Sequence, residues 1–427
     1  KAFSAKGERP RAFGTECRLL TLGSVKMGNE RTYDVCVVGS GITALVAAGI
    51  FAQKNFSVCV VAPPLREEIE SGDIPPRHYS ISASSRRIFE LLQVWEGANR
   101  PDGGLVRGIE VWGSASRPLI EFLPTIERLS PLAWILERQN IVSVLLVAIR
   151  GLGVDIIESE LISVACAEDT GLVHLESCEL RAGLIVGADG RNSKVRQSMG
   201  VSLVTKKISQ EAVVAVVKTE KSHHNFACQR FLQTGPIAFL PLSDPHLSSI
   251  VWSCEPSEAQ RLTEGGPFFN EAVTSVFGHR YGEVIDSRAH MSFGIESGGV
   301  SSFFSERGVL VGESAHVMHP LAGQGLNTAL LDVACLAECV DNKDVLPTYS
   351  SLRCRLRRYE RWRKAEVLKM LSVTDGLNSL FCSENIFISL FRKLGARSLN
   401  YSPFVKDFLI SHAAGVYGDV PEMVRQK

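Results

Sequence analysis

The feature that most constrains this fold is a valine-rich stretch that runs directly into a glycine turn. Tyr33 to Val38 has the apolar pattern of a strand, and a helix of small residues is predicted from Ile42 to Ala52. A second apolar stretch, Ser57 to Ala62, follows that helix. Unbroken apolar strands that alternate with helices are typical of a buried parallel sheet. The sequence therefore predicts a βαβ unit here.

Between the first strand and its helix lies Gly39-Ser40-Gly41-Ile42-Thr43-Ala44, which fits the pattern G-x-G-x-x-G/A. The first glycine permits a tight turn, the second lets a pyrophosphate approach the backbone, and Ala44 permits close packing of helix on sheet. The phosphates would lie at the N-terminus of the helix. This setting favours dinucleotide binding by Gly39, Gly41 and Ala44. The alternative is a glycine-rich turn in another doubly wound fold.

One expected element of such a site is missing. An acidic residue normally ends the second strand and binds the hydroxyls of the adenosine ribose. Ala62 occupies that position in this chain. Glu67 and Glu68 follow only after Pro63 and Pro64, which makes them poor substitutes.

A second cluster of glycine and polar residues joins the apolar stretch Gly308 to Val311 to a helix predicted to begin near Gly325. The carboxylate of Glu313, next to Gly312, can bind a polyol such as ribitol. The N–H groups of a glycine turn and the positive end of the helix suit the negative N1/O2 edge of a reduced flavin. The remaining members of the cluster are Pro320, Gly323, Gln324, Gly325 and Asn327. A helix cap followed by a loop is the alternative interpretation.

Two histidines, His316 and His319, lie within this second cluster. Neither has a cysteine or aspartate partner at the spacing of a metal site, so no metal site is predicted. We interpret both as structural residues or neighbours of the flavin, and roles as ligands or bases are the alternatives.

A third turn, Gly187-Ala188-Asp189-Gly190, follows the apolar stretch Leu180 to Val186. Asp189 can accept hydrogen bonds from cofactor hydroxyls or from nearby backbone, and Arg196 can meet a phosphate. The alternative is an Asx-type turn that caps a short helix.

Composition sets the remaining limits on the class of protein. At 427 residues the chain can form roughly two or three domains. Its 46 basic and 46 acidic residues balance, so nothing indicates nucleic acid as a partner. The 11 cysteines form no C-x-x-C pair and are interpreted as reduced, buried thiols. No uncharged apolar stretch reaches about 18 residues, so no transmembrane helix is predicted.

Patterns elsewhere in the chain indicate a second domain and further helices. From Glu211 to Ser253 short strand-like stretches alternate with turns, which predicts an antiparallel sheet. Helices are predicted from Ser84 to Val94, from Ile141 to Arg150 and in the arginine-rich region after Pro347. Lys1 to Arg31 carries seven basic residues against three glutamates. It is interpreted either as part of a mitochondrial targeting segment or as a basic extension without that role.

The three turns together resemble those of class A flavoprotein monooxygenases, and within that class the ubiquinone-biosynthesis hydroxylases. Further stretches carry the resemblance to this subgroup: Arg77 to Arg87, Gln229 to Pro236, Tyr359 to Glu366, and Thr374-Asp375-Gly376. The resemblance covers nearly all of Tyr33 to Gly415. Its motifs are highly specific for the class and less specific for the ring position that is hydroxylated.

The resemblance implies an α/β fold in which a Rossmann-like FAD-binding domain, discontinuous in sequence, carries a substrate domain of mixed or antiparallel sheet and C-terminal helices. The expected ranges are 1–31 for the basic extension, 32–104, 130–200 and 300–340 for the FAD-binding domain, 105–129 and 201–299 for the substrate domain, and 341–427 for the C-terminal helical region.

The resemblance also assigns the cofactor site. The residues expected to bind FAD are Gly39, Gly41, Ala44, Asp189, Arg196, Gly312, Glu313, Pro320, Gly323, Gln324, Gly325 and Asn327. Glu313 stands where the family usually has an aspartate on the ribityl chain, and its longer side chain shifts the oxygens in a tight turn. Arg86 and Arg87 match a pair of arginines whose role stays open. No nucleophile or general base is expected, so catalytic residues are left unassigned.

The activity implied is a monooxygenase in which reduced FAD and O2 form a C4a-hydroperoxide that transfers one oxygen atom to a polyprenylated phenol in ubiquinone biosynthesis. No second dinucleotide motif is found, so electrons are expected from NAD(P)H that binds transiently or from a protein donor. Two alternatives stand: a flavin oxidoreductase on another lipophilic substrate, and a degenerate structural member of a quinone-biosynthesis complex.

The resemblance implies a peripheral protein on the matrix side of the mitochondrial inner membrane. A long isoprenoid tail needs an apolar tunnel or a surface that docks on lipid. The candidate docking region is C-terminal. Its basic residues are Arg353, Arg355, Arg357, Arg358, Arg361 and Arg363, and its apolar residues include Phe387, Ile388, Leu390, Phe391 and Phe408. The alternative is a solvated arginine face with the apolar residues packed on the FAD-binding domain.

Overall fold

The computed structural model describes residues 31–63, 77–96, 101–113, 118–123, 130–277, 280–320, 323–340, 349–382, 415 and 418–425, except for the side chains of 377–382. The basic segment before Arg31 and the pair Glu67 and Glu68 lie outside the described residues. The strands are β1 (Arg31–Val38), β2 (Val58–Ala62), β3 (His78–Ile81), β4 (Gly103–Val106), β5 (Gly108–Trp112), β6 (Pro118–Phe122), β7 (Ala133–Glu137), β8 (Asp155–Glu158), β9 (Leu161–Cys166), β10 (Gly171–Leu175), β11 (Glu179–Gly187), β12 (Leu203–Thr219), β13 (Phe226–Phe231), β14 (Pro236–Pro241), β15 (Leu247–Cys254), β16 (Val284–Val300), β17 (Phe304–Ser305), β18 (Gly308–Leu310) and β19 (His316–Val317). The helices are α1 (Ile42–Gln53), α2 (Ala83–Leu91), α3 (Arg138–Gly151), α4 (Lys194–Ser198), α5 (Pro256–Thr263), α6 (Gly266–Phe277), α7 (Gln324–Cys339) and α8 (Tyr349–Cys382).

The first sheet carries the predicted βαβ unit. Its strands lie in the order β17, β18, β11, β1, β2 and β8, and β10 and β9 extend it antiparallel from β11. β1 runs parallel to both β2 and β11, and β11 runs parallel to β18. Every residue of β2 is buried, as its unbroken apolar sequence indicates. The predicted strand Ser57 to Ala62 and helix Ile42 to Ala52 are confirmed, with ends that differ by one residue.

Helix α1 packs against the first sheet and against α3 and α7. Its small residues allow this close packing on several sides. At Gly49 a Cβ atom would lie 2.8 Å from the side chain of Leu92, so the glycine lets the chain segments approach. The helix therefore holds the end of β1 rigidly in the centre of the domain.

The second sheet has the order β19, β16, β12, β15, β14, β13, β5 and β6. It is antiparallel except where β13 runs parallel to β5. The antiparallel region predicted to begin at Glu211 in fact begins at Leu203, the first residue of β12, because charged residues in the first half of this strand hide the alternation. Helices α5 and α6 pack their apolar residues on one face of this sheet. These two helices were not among the elements predicted from the sequence.

A small third sheet, in the order β3, β7 and β4, lies against the second sheet. At Gly104 in β4 a Cβ atom would lie 1.9 Å from the carbonyl oxygen of Pro241 in β14, so glycine is required for this contact. The three sheets with their helices form an α/β fold with mixed sheets and C-terminal helices, which is the predicted fold class.

The described C-terminal segments pack on helices α2 and α7. Helix α8 packs along α7, and residues 418–425 pack on α2 and α7. Trp362 Nε1 donates to the carbonyl of Asp419 at 2.8 Å, and the backbone N–H of Glu422 donates to Glu338 Oε2 at 2.7 Å. No helix in the part of the chain that the structure describes is long and apolar enough to cross a membrane.

Candidate functional site

Three turns that are far apart in the sequence meet at one edge of the first sheet. Because β1, β11 and β18 are parallel neighbours, their carboxyl ends lie side by side, with Val38 opposite Gly187 and Gly187 opposite Leu310. The three predicted turns follow these strands directly. The carboxyl edge of a parallel sheet is where doubly wound folds bind their ligands.

The two glycines of the first turn have different neighbours. A Cβ atom on Gly39 would lie 2.3 Å from the carbonyl oxygen of Ala188, and its φ is +138°, so no other residue fits. A Cβ atom on Gly41 would meet nothing within 4 Å. Ala44 is fully buried in the packed helix. Gly39 is thus required by contacts within the protein, whereas the space beside Gly41 is open to a ligand.

Asp189, in the turn after β11, has one oxygen engaged and one without a partner. Its Oδ2 accepts from the backbone N–H of Val195 at 3.1 Å. Its Oδ1 is buried and has no hydrogen-bond partner among the described residues. Ser193 caps the short helix α4 by accepting from the N–H of Arg196 at 2.9 Å. The turn therefore caps a helix and also presents a carboxylate oxygen that can accept a ligand hydroxyl.

Arg196 joins the turn after β11 to the turn after β18. Its guanidinium is 7% exposed and donates to the carbonyls of Ser314 at 3.1 Å and Arg191 at 2.7 Å. Burial lowers the pKa of Arg196 from its usual value. These bonds hold two turns together, so the geometry favours a positioning role over the direct phosphate contact suggested by the sequence.

The turn after β18, at Gly312, is fixed by its own buried contacts and leaves one acidic side chain exposed. Gly312 has φ +62°, and a Cβ atom there would lie 3.0 Å from Ala329. Ser314 Oγ donates to the carbonyl of Gly187, which connects this turn to β11. Glu313, between them, is exposed. Its carboxylate is thus held on a rigid turn and stays accessible.

A buried cluster of charged residues supports this turn from below. Asp332 Oδ2 accepts from the N–H of Gly312 at 2.9 Å and lies 2.6 Å from His316 Nε2. Its Oδ1 accepts from Nε of Arg363 at 2.6 Å. His316 therefore has a structural role, which is one of the interpretations that its sequence position allows. The expectation that Arg363 faces lipid headgroups is wrong, because Arg363 is 3% exposed and pairs with Asp332.

Asn327 ties the start of α7 to the segment between β3 and α2. Its Oδ1 accepts from the N–H of Ser82 at 2.9 Å and from Ser85 Oγ at 2.8 Å. Its Nδ2 donates to the carbonyls of Ser80 at 2.8 Å and Gly323 at 3.1 Å. The Asn327 amide therefore makes its hydrogen bonds to other parts of the protein, and its role in the site is to hold the loop in position.

The loop before α7 has one constrained glycine and one open glycine. Gly323 has φ +61°, and its Cβ atom would lie 3.0 Å from that of Ser80. At Gly325 a Cβ atom would meet nothing within 4 Å. Pro320 and Gln324 are half-buried on either side of the loop. The arrangement leaves space at the N-terminus of α7, where the helix presents positive potential.

Two buried histidines lie near this loop. His319 Nε2 is 3.5 Å from Gln210 Oε1 of β12, and burial lowers the pKa of His319 to about 4. Burial, aided by the charge of Arg288, lowers the pKa of His78 to about 4 as well. Both side chains are therefore neutral at pH 7. No local sequence pattern singles out His78 and Gln210, because only the fold brings β3 and β12 next to the loop.

The paired arginines of α2 have roles in packing. The Arg86 guanidinium lies 4.9 Å from the ring centroid of Trp134 and 5.8 Å from that of Trp95, and its Nε lies 2.6 Å from Glu90. Arg87 donates to the carbonyl of Arg425. These contacts connect α2 to the third sheet and to the C-terminal segment.

A cavity of about 180 Å³ adjoins the first turn. The residues that line it are Val38, Gly39, Val61, Ala62, Pro63, Ser159, Glu160, Leu161, Asp189, Asn192 and Lys194. The open space at Gly41, the unpartnered oxygen of Asp189 and this cavity lie along one sheet edge. Together they fit an extended dinucleotide with a pyrophosphate at its centre.

Comparisons with known proteins agree with that geometry. A family model described as an FAD binding domain matches residues 167–353, and one described as squalene epoxidase matches residues 301–414. The ubiquinone hydroxylase UbiL of Rhodospirillum rubrum is 29% identical over 414 residues, which cover 94% of this chain and 94% of that protein. The mitochondrial ubiquinone biosynthesis monooxygenase COQ6 of Xenopus tropicalis is 30% identical over 446 residues, covering 90% of this chain and 93% of that protein.

Solved structures show the same fold. The p-nitrophenol 4-monooxygenase PnpA of Pseudomonas putida superposes with a TM-score of 0.73 at 17% identity and covers 90% of this chain and 98% of its own. PqsL of Pseudomonas aeruginosa, described as a probable FAD-dependent monooxygenase, gives a TM-score of 0.70 at 19% identity, with 86% and 100% covered. Likeness at this level of identity concerns the fold alone.

Proposed function

The chain belongs to the ubiquinone-biosynthesis monooxygenase family, and from that relation we propose that it hydroxylates the aromatic ring of a polyprenylated phenol on the way to ubiquinone. It is an FAD-dependent monooxygenase, which uses O2 and a reduced electron donor to place one oxygen atom on an aromatic substrate.

One observation on this chain carries the proposal. Buried bonds of Arg196 and Ser314 join the turn after β11 to the turn after β18, and Asp332 of α7 fixes the latter. The same sheet edge keeps an open space at Gly41 and, among the described residues, an unpartnered oxygen on Asp189. A fold that rigidly arranges polar groups around open space is prepared for a ligand. FAD has the pyrophosphate and the hydroxyls that these groups would bind.

We assign the parts of FAD to the parts of the site in order along the sheet edge. The Gly39–Ala44 turn would hold the pyrophosphate, beside the open space at Gly41. The exposed carboxylate of Glu313 would accept hydrogen bonds from the ribityl hydroxyls. The loop of Gly323 and Gly325, where the N-terminus of α7 favours negative charge, would hold the isoalloxazine. FAD would supply the redox chemistry that activates O2.

The aromatic ring of the substrate would lie between this loop and the second sheet, where His319 and Gln210 approach each other. Because burial keeps His319 neutral, this side chain adds no buried charge beside the ring. Residues around the ring then orient it and exclude water, which is the protein's share of this reaction. NAD(P)H or a protein donor supplies the electrons.

The experiment that tests the proposal begins with the colour of the purified protein. We expect flavin absorbance, with FAD released on denaturation. With ¹⁸O2, a reductant and a prenylated phenol, one labelled oxygen atom should enter the ring. A folded, colourless protein that binds no added FAD would contradict the proposal and would favour a structural member of a quinone-biosynthesis complex. Mass spectrometry of intermediates that accumulate after gene deletion would identify the ring carbon.

We further propose that the protein is mitochondrial and peripheral on the matrix side of the inner membrane. Several similar proteins are named mitochondrial, although the Rhodospirillum relative is bacterial. The docking surface proposed here is smaller than the arginine-rich sequence suggests. Arg355 donates to the carbonyl of Cys339 at 3.1 Å, and Arg358 lies 3.8 Å from Glu338.

Arg353, Arg357, Arg358 and Arg361 are exposed on α8. Arg358 is engaged near Glu338, and the other three recur every four residues and so share one side of the helix. The apolar candidates from Phe387 to Phe408 lie outside the described residues. Flotation of the full chain with anionic vesicles tests the proposal. Replacing Arg353, Arg357 and Arg361 with glutamine should reduce flotation, and neutral vesicles are the control. Equal flotation of both proteins with anionic vesicles would count against docking through α8.

A further inference from the structure

The cavity beside the Gly39 turn opens at the carboxyl ends of β1, β2 and β8. In this fold the pyrophosphate lies on the glycine turn and the adenosine ribose reaches past the end of the second strand. If FAD binds as proposed, its adenosine ribose therefore lies in this cavity. The inference below rests on that proposed function.

The cavity lacks a carboxylate at the usual position for the ribose. Ala62 ends β2, is 1% exposed and lines the wall, and its methyl group cannot accept a hydrogen bond. The carboxylates among the described residues that line the cavity are Asp189 and Glu160. Asp189 follows β11, which is separated from β2 by β1, and Glu160 follows β8, which is the direct neighbour of β2.

Strand pairing brings Glu160 next to the end of β2. Ala62 lies opposite Glu158 in the parallel pair, and the N–H of Ser159 donates to the carbonyl of Ala62 at 2.9 Å. Glu160 is the next residue, just beyond the end of both strands. It is therefore displaced from the usual position by one strand, toward the outer edge of the sheet.

Lys194 holds this carboxylate at the mouth of the cavity. Its Nζ donates to the carbonyl of Leu161 at 2.9 Å and lies 3.3 Å from Glu160 Oε2. The side chains of Lys194 and Glu160 are 52% and 48% exposed. An exposed pair of this kind contributes little to folding, and a ligand can still reach the carboxylate.

We propose that Glu160 supplies, from the neighbouring strand, the carboxylate that Ala62 lacks, and that it accepts hydrogen bonds from the adenosine ribose of FAD while Lys194 keeps it in place. With Ala62 in place of the usual acidic residue, the carboxylate that binds the ribose comes from the neighbouring strand, and high affinity for FAD is kept. Replacing Glu160 removes an acceptor for ligand hydroxyls without disturbing buried structure.

The test compares the loss of affinity when the Glu160 carboxylate is removed with the loss when the two ribose hydroxyls of the ligand are removed, and then removes both together. Full-length apoprotein is titrated with FAD and with an FAD analogue that carries 2′,3′-dideoxyadenosine, and flavin fluorescence gives Kd. The wild type should bind the analogue roughly tenfold more weakly than FAD, as expected for lost hydrogen bonds to a charged group. Glu160→Gln should weaken FAD binding by a similar factor and should bind both ligands alike.

The control is Glu158→Gln. Glu158 is the exposed last residue of β8, two residues before Glu160, and it does not line the cavity. It should behave as the wild type with both ligands. The inference is overturned if Glu160→Gln binds FAD as tightly as the wild type, if it still discriminates between the two ligands, or if the wild type does not discriminate. A wild type that binds no FAD at all would instead overturn the proposed function.

Discussion

Arg363 and Asp332 form a buried ion pair where α8 crosses α7, with Nε of the arginine 2.6 Å from Oδ1 of the aspartate. Burial alone would raise the pKa of Asp332, but the charges of His316 and Arg363 outweigh it and lower the pKa. Burial alone would lower the pKa of Arg363, and the charge of Asp332 raises it instead. Both groups therefore stay ionised, and one carboxylate connects the Gly312 turn to the two long C-terminal helices.

The first prediction concerns this pair. Arg363→Met removes one of the two side chains that pair with the buried charge of Asp332, so the free energy of unfolding should fall by roughly 3–5 kcal/mol. Arg361→Met removes an exposed arginine from the same helix and should change it by less than about 0.5 kcal/mol. Urea unfolding of the wild type and the two variants measures these changes in the free energy of unfolding. Similar stabilities of Arg363→Met and Arg361→Met would show that the pair does not support the fold.

What the sequence could predict was local. The glycine turn at Gly39 and the apolar stretches on either side of it are contiguous, so spacing alone indicates strand, turn and helix. The contact between Asp332 and Arg363 depends on how two helices cross, and no local pattern carries that information. Arg363 therefore looked like one more exposed arginine of a basic helix. The same reason hid the bond of Arg196 to Ser314, which lies 118 residues away.

Gly41→Val tests the position of the pyrophosphate. The added side chain enters the open space beside the turn, so FAD binding should weaken by at least about a hundredfold, whereas the apoprotein should stay folded. Gly151→Val is the matched control, because a Cβ atom on Gly151 also meets nothing within 4 Å but lies at the end of α3, away from the turn. A folded Gly41→Val protein that is as yellow as the wild type would refute the assignment.

Replacement of Asn327 should damage the loop rather than remove a ligand contact. Asn327→Ala leaves the N–H of Ser82 and the carbonyl of Ser80 without their buried partner, at a cost of roughly 2–4 kcal/mol of unfolding free energy. The loss should appear in the apoprotein, before any flavin is added. Asn327→Asp, which keeps the acceptor and loses both donors, should also destabilise. An apoprotein of wild-type stability in either variant would contradict this role.

Glu313 is predicted to act on the ligand alone. Because its side chain is exposed, Glu313→Ala should leave the stability of the apoprotein within about 0.5 kcal/mol of the wild type. The same change should raise Kd for FAD several-fold by removing the acceptor for ribityl hydroxyls, and Glu313→Asp should bind FAD at least as well as Glu313→Ala does. Fluorescence titration with FAD measures all three. Equal affinity in the three proteins would mean that Glu313 does not contact the ribityl chain.

The last prediction is a dependence of stability on pH that comes from His319. Its pKa is about 4 in the folded protein, below the unfolded value of about 6.5, so the unfolded chain binds more protons between these values. The contribution of His319 is therefore complete above pH 6.5 and is lost as the pH falls toward 4. Between pH 7.5 and pH 5 the loss should amount to roughly 2 kcal/mol, since each pKa unit corresponds to about 1.4 kcal/mol.

His319→Gln should flatten this dependence, because glutamine does not titrate and can still form a hydrogen bond with Gln210. Part of the slope should remain, since the pKa of His78 is likewise lowered to about 4, mainly by burial. His224→Asn, which replaces an exposed histidine, is the control. Urea unfolding at the two pH values gives the comparison for all three proteins. If His319→Gln loses as much stability at pH 5 as the wild type does, His319 is not the buried neutral histidine described here, and the dry environment assigned to the substrate ring loses its support.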